Sequence, residues 1–226
     1  FEMMGVKLLP HEERYRRTAA FIEILKGLWV NPPGTFNHHS PWYEIKDGYC
    51  LPQPKLMPEI ANAGTSEDAK EMTTSLCDWA FISTPTIEAV SEIIEDISLR
   101  AKKKDRQVQC AAFPFVLWRD SEDEAHHELE RIIAQKDEVA AQNWLDGLAI
   151  GSGSFDQFTL DMMTVGAGAV HVIGTAEQVA TKIKTMHDAG LGGILMVFQA
   201  YLQDTIKFRK EIMPLLYEMG VISKLN

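Results

Sequence analysis

Between residues 12 and 30 apolar side chains recur at mostly helical spacing, through Ala19, Ala20, Ile22, Ile24, Leu25, Leu28 and Trp29, until Pro32-Pro33-Gly34 stops the run. Two turn-rich stretches follow, 35–43 and 44–51, with Asp47-Gly48 as a turn signal, and together they predict a hairpin excursion. Residues 58–64 read as a strand ending at Gly64. Thr65-Ser66-Glu67-Asp68 then opens a helix to about Leu76, because a hydroxyl followed by acids satisfies the free amides of a first turn and suits its dipole. The alternation repeats: a buried-type strand at 79–82, a helix over 86–104 with Ile87, Val90, Ile93, Ile94 and Ile97 on one face, and an apolar strand over 108–118. A long helix from Asp120 to about Leu145 comes next, then a glycine-rich stretch, 147–169, with poor periodicity, read as a functional lid loop with room for one short helix. Thr175-Ala176-Glu177-Gln178 starts a helix that ends at Gly190, 193–198 reads as a strand, and a last helix over 203–219 is broken or kinked by Pro214.

Strands followed by helices throughout predict an α/β fold with a parallel sheet, read here as one domain over 1–226. Four such βα units plus the hairpin make about half of a (β/α)8 barrel. A half barrel leaves two open strand edges, which are costly to expose. The rest is therefore expected from a missing N-terminal half or from a chain that supplies it. A small open α/β sheet is the structural alternative.

Composition narrows the function. The chain is 46% hydrophobic and 24% charged, a mix suited to a well-packed globular protein. Its net charge of −10 argues against nucleic acid, which needs a basic face. The one basic cluster, Arg100 to Arg106, is expected to be a solvated helix C-terminus. No run approaches the roughly 18 apolar residues of a membrane helix, so no membrane partner is expected. Cys50, Cys77 and Cys110, odd in number and widely spaced, are expected to be buried thiols of a cytoplasmic protein. His38-His39 and His126-His127 are adjacent pairs without the i, i+4 spacing of helical metal ligands, so no metal is expected. The opening Phe1-Glu2-Met3-Met4 reads as the interior of something longer.

His11-Glu12-Glu13-Arg14-Tyr15, Leu28-Trp29, Leu51-Pro52-Gln53-Pro54, Ala63-Gly64-Thr65-Ser66, Asp78-Trp79-Ala80-Phe81 and the final Gly-Ile-Leu-Met strand occur in one order along the chain. In that ordered set the sequence resembles the bacterial-luciferase-like flavin monooxygenases, with the pyrimidine monooxygenases first and the sulfone and alkanesulfonate enzymes next. The resemblance implies the C-terminal portion of a luciferase-like TIM barrel. It implies an oxidoreductase that uses reduced FMN and O2 on a small neutral or heterocyclic, pyrimidine-like substrate, with a separate flavin reductase and a homo-oligomeric state. No dinucleotide-binding fingerprint is visible, in keeping with a two-component system. The rivals are a non-catalytic or truncated flavin-binding relative, a partner-binding half-barrel, and an unrelated α/β enzyme sharing only the architecture.

By the same resemblance Arg14 and Tyr15 match a flavin-contacting pair, and Ser66, with Gly64 and Thr65, matches a phosphate contact at a strand end. Arg offers a planar fork of donors to a phosphate; alternatively it pairs with Glu12, Glu13 or a neighbour on the helix surface. Ser66 contacts phosphate or is a plain helix cap, since both uses share one geometry. Gly174 and Thr175 open another helix and are a second candidate phosphate contact. Phe113 and Phe115 stand where alkanesulfonate enzymes place an Arg and a His, which argues against an anionic substrate; the alternative is core packing. Phe198 and Gln199 end the last strand, where barrels place substrate contacts. His11 is a supporting candidate, and no catalytic residue is assigned.

Overall fold

The computed structural model describes residues 2–5, 7–84, 86–149 and 165–223, which divide into two compact units. The first comprises Phe1–Ala80 with Leu99–Val108, the second Phe81–Ser98 with Gln109–Asn226.

In the first unit, α1 (His11–Val30) buries Ala20, Ile22 and Ile24, and Ile22 meets Met72 and Cys77 in a small core. Gly27 leaves the space that the Phe36 ring fills, so the hairpin of β1 (Phe36–His39) and β2 (Glu44–Gly48) packs closely on this helix. The hairpin forms as expected, but its turn lies at 40–43, where the Ser40 amide donates to the Tyr43 carbonyl at 2.9 Å and the Tyr43 amide to Ser40 Oγ at 3.1 Å. Asp47-Gly48 marks an irregularity in the pairing instead: Asp47 has φ +50° and donates its amide to Asn37 Oδ1 at 3.0 Å.

The strand expected over 58–64 shortens to β3 (Ala61–Asn62), parallel to the start of β4 (Trp79–Ile82) through Ala61 opposite Trp79 and Asn62 opposite Ala80. Ile60 turns its backbone to the Asp78 turn, donating to Asp78 Oδ2 at 2.8 Å and accepting from the Asp78 amide at 2.8 Å. Next comes α2 (Glu67–Leu76), capped by Ser66. The basic cluster at the end of α3 (Ile87–Lys103) is not simply solvated. Arg100 pairs with Glu67 at 2.7 Å, Lys104 with Glu71 at 2.7 Å, and Arg106 donates to the carbonyls of Thr74 and Cys77 at 3.0 and 2.9 Å. Basic residues here neutralise the acids of α2 and satisfy carbonyls of its last turn. Cys77 and Cys110 are buried; Cys50 is only half-buried.

In the second unit the apolar run 108–118 is two strands, not one: β5 (Gln109–Ala112) and β6 (Pro114–Trp118). Pro114 has no N–H to continue a ladder, and the pairing partner changes there. β5 pairs in parallel with β8 (Leu191–Ile194), and β6 in parallel with β7 (Val170–Gly174). The helix expected to Leu145 likewise splits into α4 (Glu122–Ala134) and α5 (Glu138–Ala149), because Asp137 takes the capping role and accepts from the Ala140 amide at 2.9 Å. α6 (Ala176–Asp188) ends just before Gly190, and the last helix is α7 (Tyr201–Glu211) followed by α8 (Met213–Glu218), with Pro214 in the first turn of α8. Of the expected lid, 147–149 end α5, 165–169 form a turn, and 150–164 lie outside the described residues.

Candidate functional site

Four of the candidate flavin residues meet where the β3 segment gives way to α2. Gly64 sits so close to α1 that a β-carbon on it would collide with Tyr15 Oη and come within 2.5 Å of Ala69 Cβ, a buried atom of the helix wall. The strand-end glycine is thus a close-approach glycine, and the hydroxyl of Tyr15 lies directly on the turn that presents Thr65 and Ser66. Ser66 Oγ accepts from the Ala69 amide at 3.2 Å, an N-cap, while Thr65 is exposed. His11 stands one turn before Tyr15, with ring centroids 5.1 Å apart, and its Nδ1 lies 3.2 Å from Asp68 Oδ2.

Arg14 is half-buried beside Tyr15 in sequence, and its Nε is buried with no hydrogen-bond partner. The surface pairing with Glu12 considered for it goes to Arg16 instead. A buried guanidinium N–H without an acceptor is costly, and an anion supplied from outside relieves that cost. Glu67 and Asp68 in the first turn of α2 work against a bound phosphate. Arg100, with help from Lys70, offsets the first of them and holds the Glu67 carboxyl below the ordinary carboxylate range.

Gly174 and Thr175 serve a different, local purpose. Thr175 and Gln178 form a reciprocal capping box: the Thr175 amide donates to Gln178 Oε1 at 2.9 Å and the Gln178 amide to Thr175 Oγ1 at 3.3 Å. A β-carbon at Gly174, where φ is +150°, would lie 2.5 Å from Gln178 Oε1. The glycine therefore makes room for the box, which already uses the Thr175 amide.

Among the expected substrate contacts the structure separates Phe113 from the others. Phe115 is buried in a cluster with Leu117, Ala125, Val165, Ala169 and Ile173. Phe198 is buried in an aromatic cluster, edge-on to Trp118 at 6.2 Å and 5.8 Å from Phe208. Phe113, by contrast, is half-buried at the break between β5 and β6 and stacks on Phe81 at 5.6 Å and 14°. Phe81 has no role in the sequence reading beyond the motif Asp78-Trp79-Ala80-Phe81. In the strand Trp79-Ala80-Phe81-Ile82 half-buried and buried positions alternate, and Phe81 falls on the less buried side.

Gln199 is tied down. Its amide donates to Glu128 Oε1 at 3.0 Å and faces Arg119 Nη2 at 3.5 Å, while Arg131 makes two contacts with Glu128 at 2.7 and 2.8 Å. Arg131 and then Gln199 hold the Glu128 carboxyl down to about 2. A carboxyl whose folded value is depressed from 4.5 contributes stability above that value and loses it as pH falls towards 2. After allowance for solvent, the expected contribution is about 1–2 kcal/mol. Urea unfolding at pH 5 and at pH 3 should show this loss in the wild type and a smaller one in Glu128→Gln.

Among the described residues no group of His, Cys, Asp and Glu is arranged to hold a metal ion, and no helix is long and apolar enough to cross a membrane.

Parallel strands flanked by helices, with a strand-end glycine turn opening a helix against Tyr15, define an α/β fold. A family model described as luciferase-like monooxygenase matches residues 1–192, and the chain belongs to that family. It is 30% identical to an FMNH(2)-dependent dimethylsulfone monooxygenase of Pseudomonas putida, over 97% of this chain and 63% of that protein. It is 25% identical to the pyrimidine monooxygenase RutA of Agrobacterium fabrum (strain C58 / ATCC 33970), over 90% of this chain and 58% of the relative. These identities reverse the order the sequence motifs suggested, in which pyrimidine enzymes stood ahead of sulfone enzymes. The solved long-chain alkane monooxygenase LadA shares the fold, with a TM-score of 0.78 at 21% identity over 98% of this chain and 59% of that one. The chain spans about three-fifths of the length of the relatives it matches.

Proposed function

We propose that the chain is the C-terminal portion of an FMN-dependent monooxygenase acting on a small neutral organic substrate, with reduced flavin delivered by a separate reductase. The observation that carries the reading is the buried, partnerless Nε of Arg14 next to Tyr15, whose hydroxyl lies on the Gly64 turn. These residues suit a phosphate-bearing cofactor: Arg14 supplies an Nε donor that lacks an acceptor, the turn gives backbone access, and Ser66 stands at the N-terminus of α2. Two relatives support the cofactor and the chemistry by name, one as FMNH(2)-dependent and both as monooxygenases.

When bound, reduced flavin supplies the electrons with which O2 is activated. The chain's own part is to bind and orient. Arg14 and Ser66 hold the phosphate and Tyr15 fixes the turn. Phe113 with Phe81 offers an apolar, stacked surface suited to a neutral molecule rather than to an unpaired anion. A sulfone or a flat heterocycle meets that description. Gly174 and Thr175 are assigned to structure in this reading, as are Phe115, Phe198 and Gln199, for the packing and hydrogen bonds already described.

The test is a fluorescence titration of the full-length protein with FMN. Arg14→Ala is expected to weaken binding about tenfold, the worth of one charge-assisted hydrogen bond, and Ser66→Ala by less. O2 consumption with reduced FMN and dimethylsulfone then separates an enzyme from a flavin carrier. Wild-type protein that fails to quench FMN fluorescence at micromolar concentration would overturn the proposal.

A further inference from the structure

We infer that Asp68 is a positioning residue for the proposed cofactor contact, acting through His11 on Tyr15. The inference rests on the flavin reading above. Three contacts form a chain: Asp68 Oδ2 lies 3.2 Å from His11 Nδ1, the His11 ring packs 5.1 Å and 59° from the Tyr15 ring, and Tyr15 Oη lies on Gly64. Each link restricts the next. The carboxylate selects the His11 tautomer that carries its proton on Nδ1 and fixes the ring plane. The ring then closes one side of the space available to Tyr15, and Tyr15 sets the height of the turn that carries Thr65 and Ser66.

Charge alone predicts the opposite behaviour. Asp68 is an acid in the first turn of α2, close to where a phosphate would sit, and Coulomb repulsion makes its removal favourable to an anion. The two roles therefore differ in sign. If Asp68 acts only as a charge, Asp68→Ala tightens FMN binding. If it positions His11, Asp68→Ala loosens binding, and Asp68→Asn, which keeps an acceptor for the His11 proton, restores most of it. Asp68 and His11 have side chains 44% and 39% exposed, so a cost to the fold does not account for such a loss.

The experiment measures FMN affinity for wild type, Asp68→Ala, Asp68→Asn, His11→Ala and the Asp68→Ala/His11→Ala double variant, together with Tyr15 ring-proton shifts in the flavin-free proteins. The expected result is a loss of about fivefold to tenfold for Asp68→Ala and for His11→Ala, no further loss in the double variant, and near wild-type affinity for Asp68→Asn. The Tyr15 signal should move in Asp68→Ala and His11→Ala and stay in Asp68→Asn. Tighter binding by Asp68→Ala, additive losses, or an unmoved Tyr15 signal would each overturn the inference while leaving the flavin reading intact. Failure of the wild type to bind FMN would overturn both, and the Arg14 titration identifies that case.

Discussion

Gly64→Ala is expected to reduce FMN binding at least a hundredfold, about 2.7 kcal/mol, while the protein still folds. The alanine methyl has nowhere to go. On one side stands Tyr15 Oη, and on the other Ala69 Cβ at 2.5 Å, an atom fixed to the backbone of α2 and wholly buried. A flexible side chain can swing away; a helical Cβ cannot. The turn itself must shift, and with it Thr65 and Ser66. Overpacking of this kind costs about 1–3 kcal/mol of stability, a loss seen as a lower melting temperature rather than as failure to fold. The second variant that gives the prediction its edge is Gly64→Ala combined with Tyr15→Phe. Removing the hydroxyl clears one of the two obstructions and should recover part of the stability. It should not recover binding, because the Ala69 contact still displaces the turn. Wild-type FMN affinity in Gly64→Ala would show that this turn does not hold the cofactor.

Much of this was legible in the chain, and the reasons for the rest are physical. Gly64 was readable as a strand-end glycine, and Ser66 as a cap or a phosphate contact, because local chemistry fixes both. That Tyr15 would lie on Gly64 needed the packing of α1 against α2, some fifty residues apart in sequence. Periodicity also missed the breaks inside apolar or helical runs. Pro114 divides 109–118 into two strands with different partners, and Asp137 divides the long helix; each is a single residue set in a pattern that otherwise continues. The same limit applied after β8, which ends at Ile194 and not at 198 as the apolar run suggested. Phe198 and Gln199 read in the sequence as a strand end, where a barrel places substrate contacts, but that reading does not reveal that Trp118 and Phe208 already surround one and Glu128 holds the other. Propensity reads an element; it does not read which atoms are already occupied.

Phe113→Arg is the second variant with a large expected effect, because it asks whether the stacked pair faces substrate. The ring of Phe113 lies 5.6 Å from that of Phe81 and packs against the buried cluster of Phe115, Val165 and Ala169. Arginine there keeps at most a cation–π contact with Phe81, worth about 0.5–1 kcal/mol. Against that stand the lost aromatic pair, about 0.5–1.5 kcal/mol, and a guanidinium placed on an apolar surface, about 1–3 kcal/mol. The balance is unfavourable for a neutral substrate and eased by an anionic one. With dimethylsulfone, kcat/KM is therefore expected to fall about a hundredfold, and with methanesulfonate by clearly less, so that the ratio of the two shifts towards the sulfonate. Phe113→Leu, which stays apolar, should remain within about tenfold of wild type on the neutral probe. FMN affinity, read on the same preparations, should be unchanged in both variants. An unaltered ratio of sulfone to sulfonate in Phe113→Arg, with flavin still bound, would place the pair in the core and move the search for the substrate contact elsewhere.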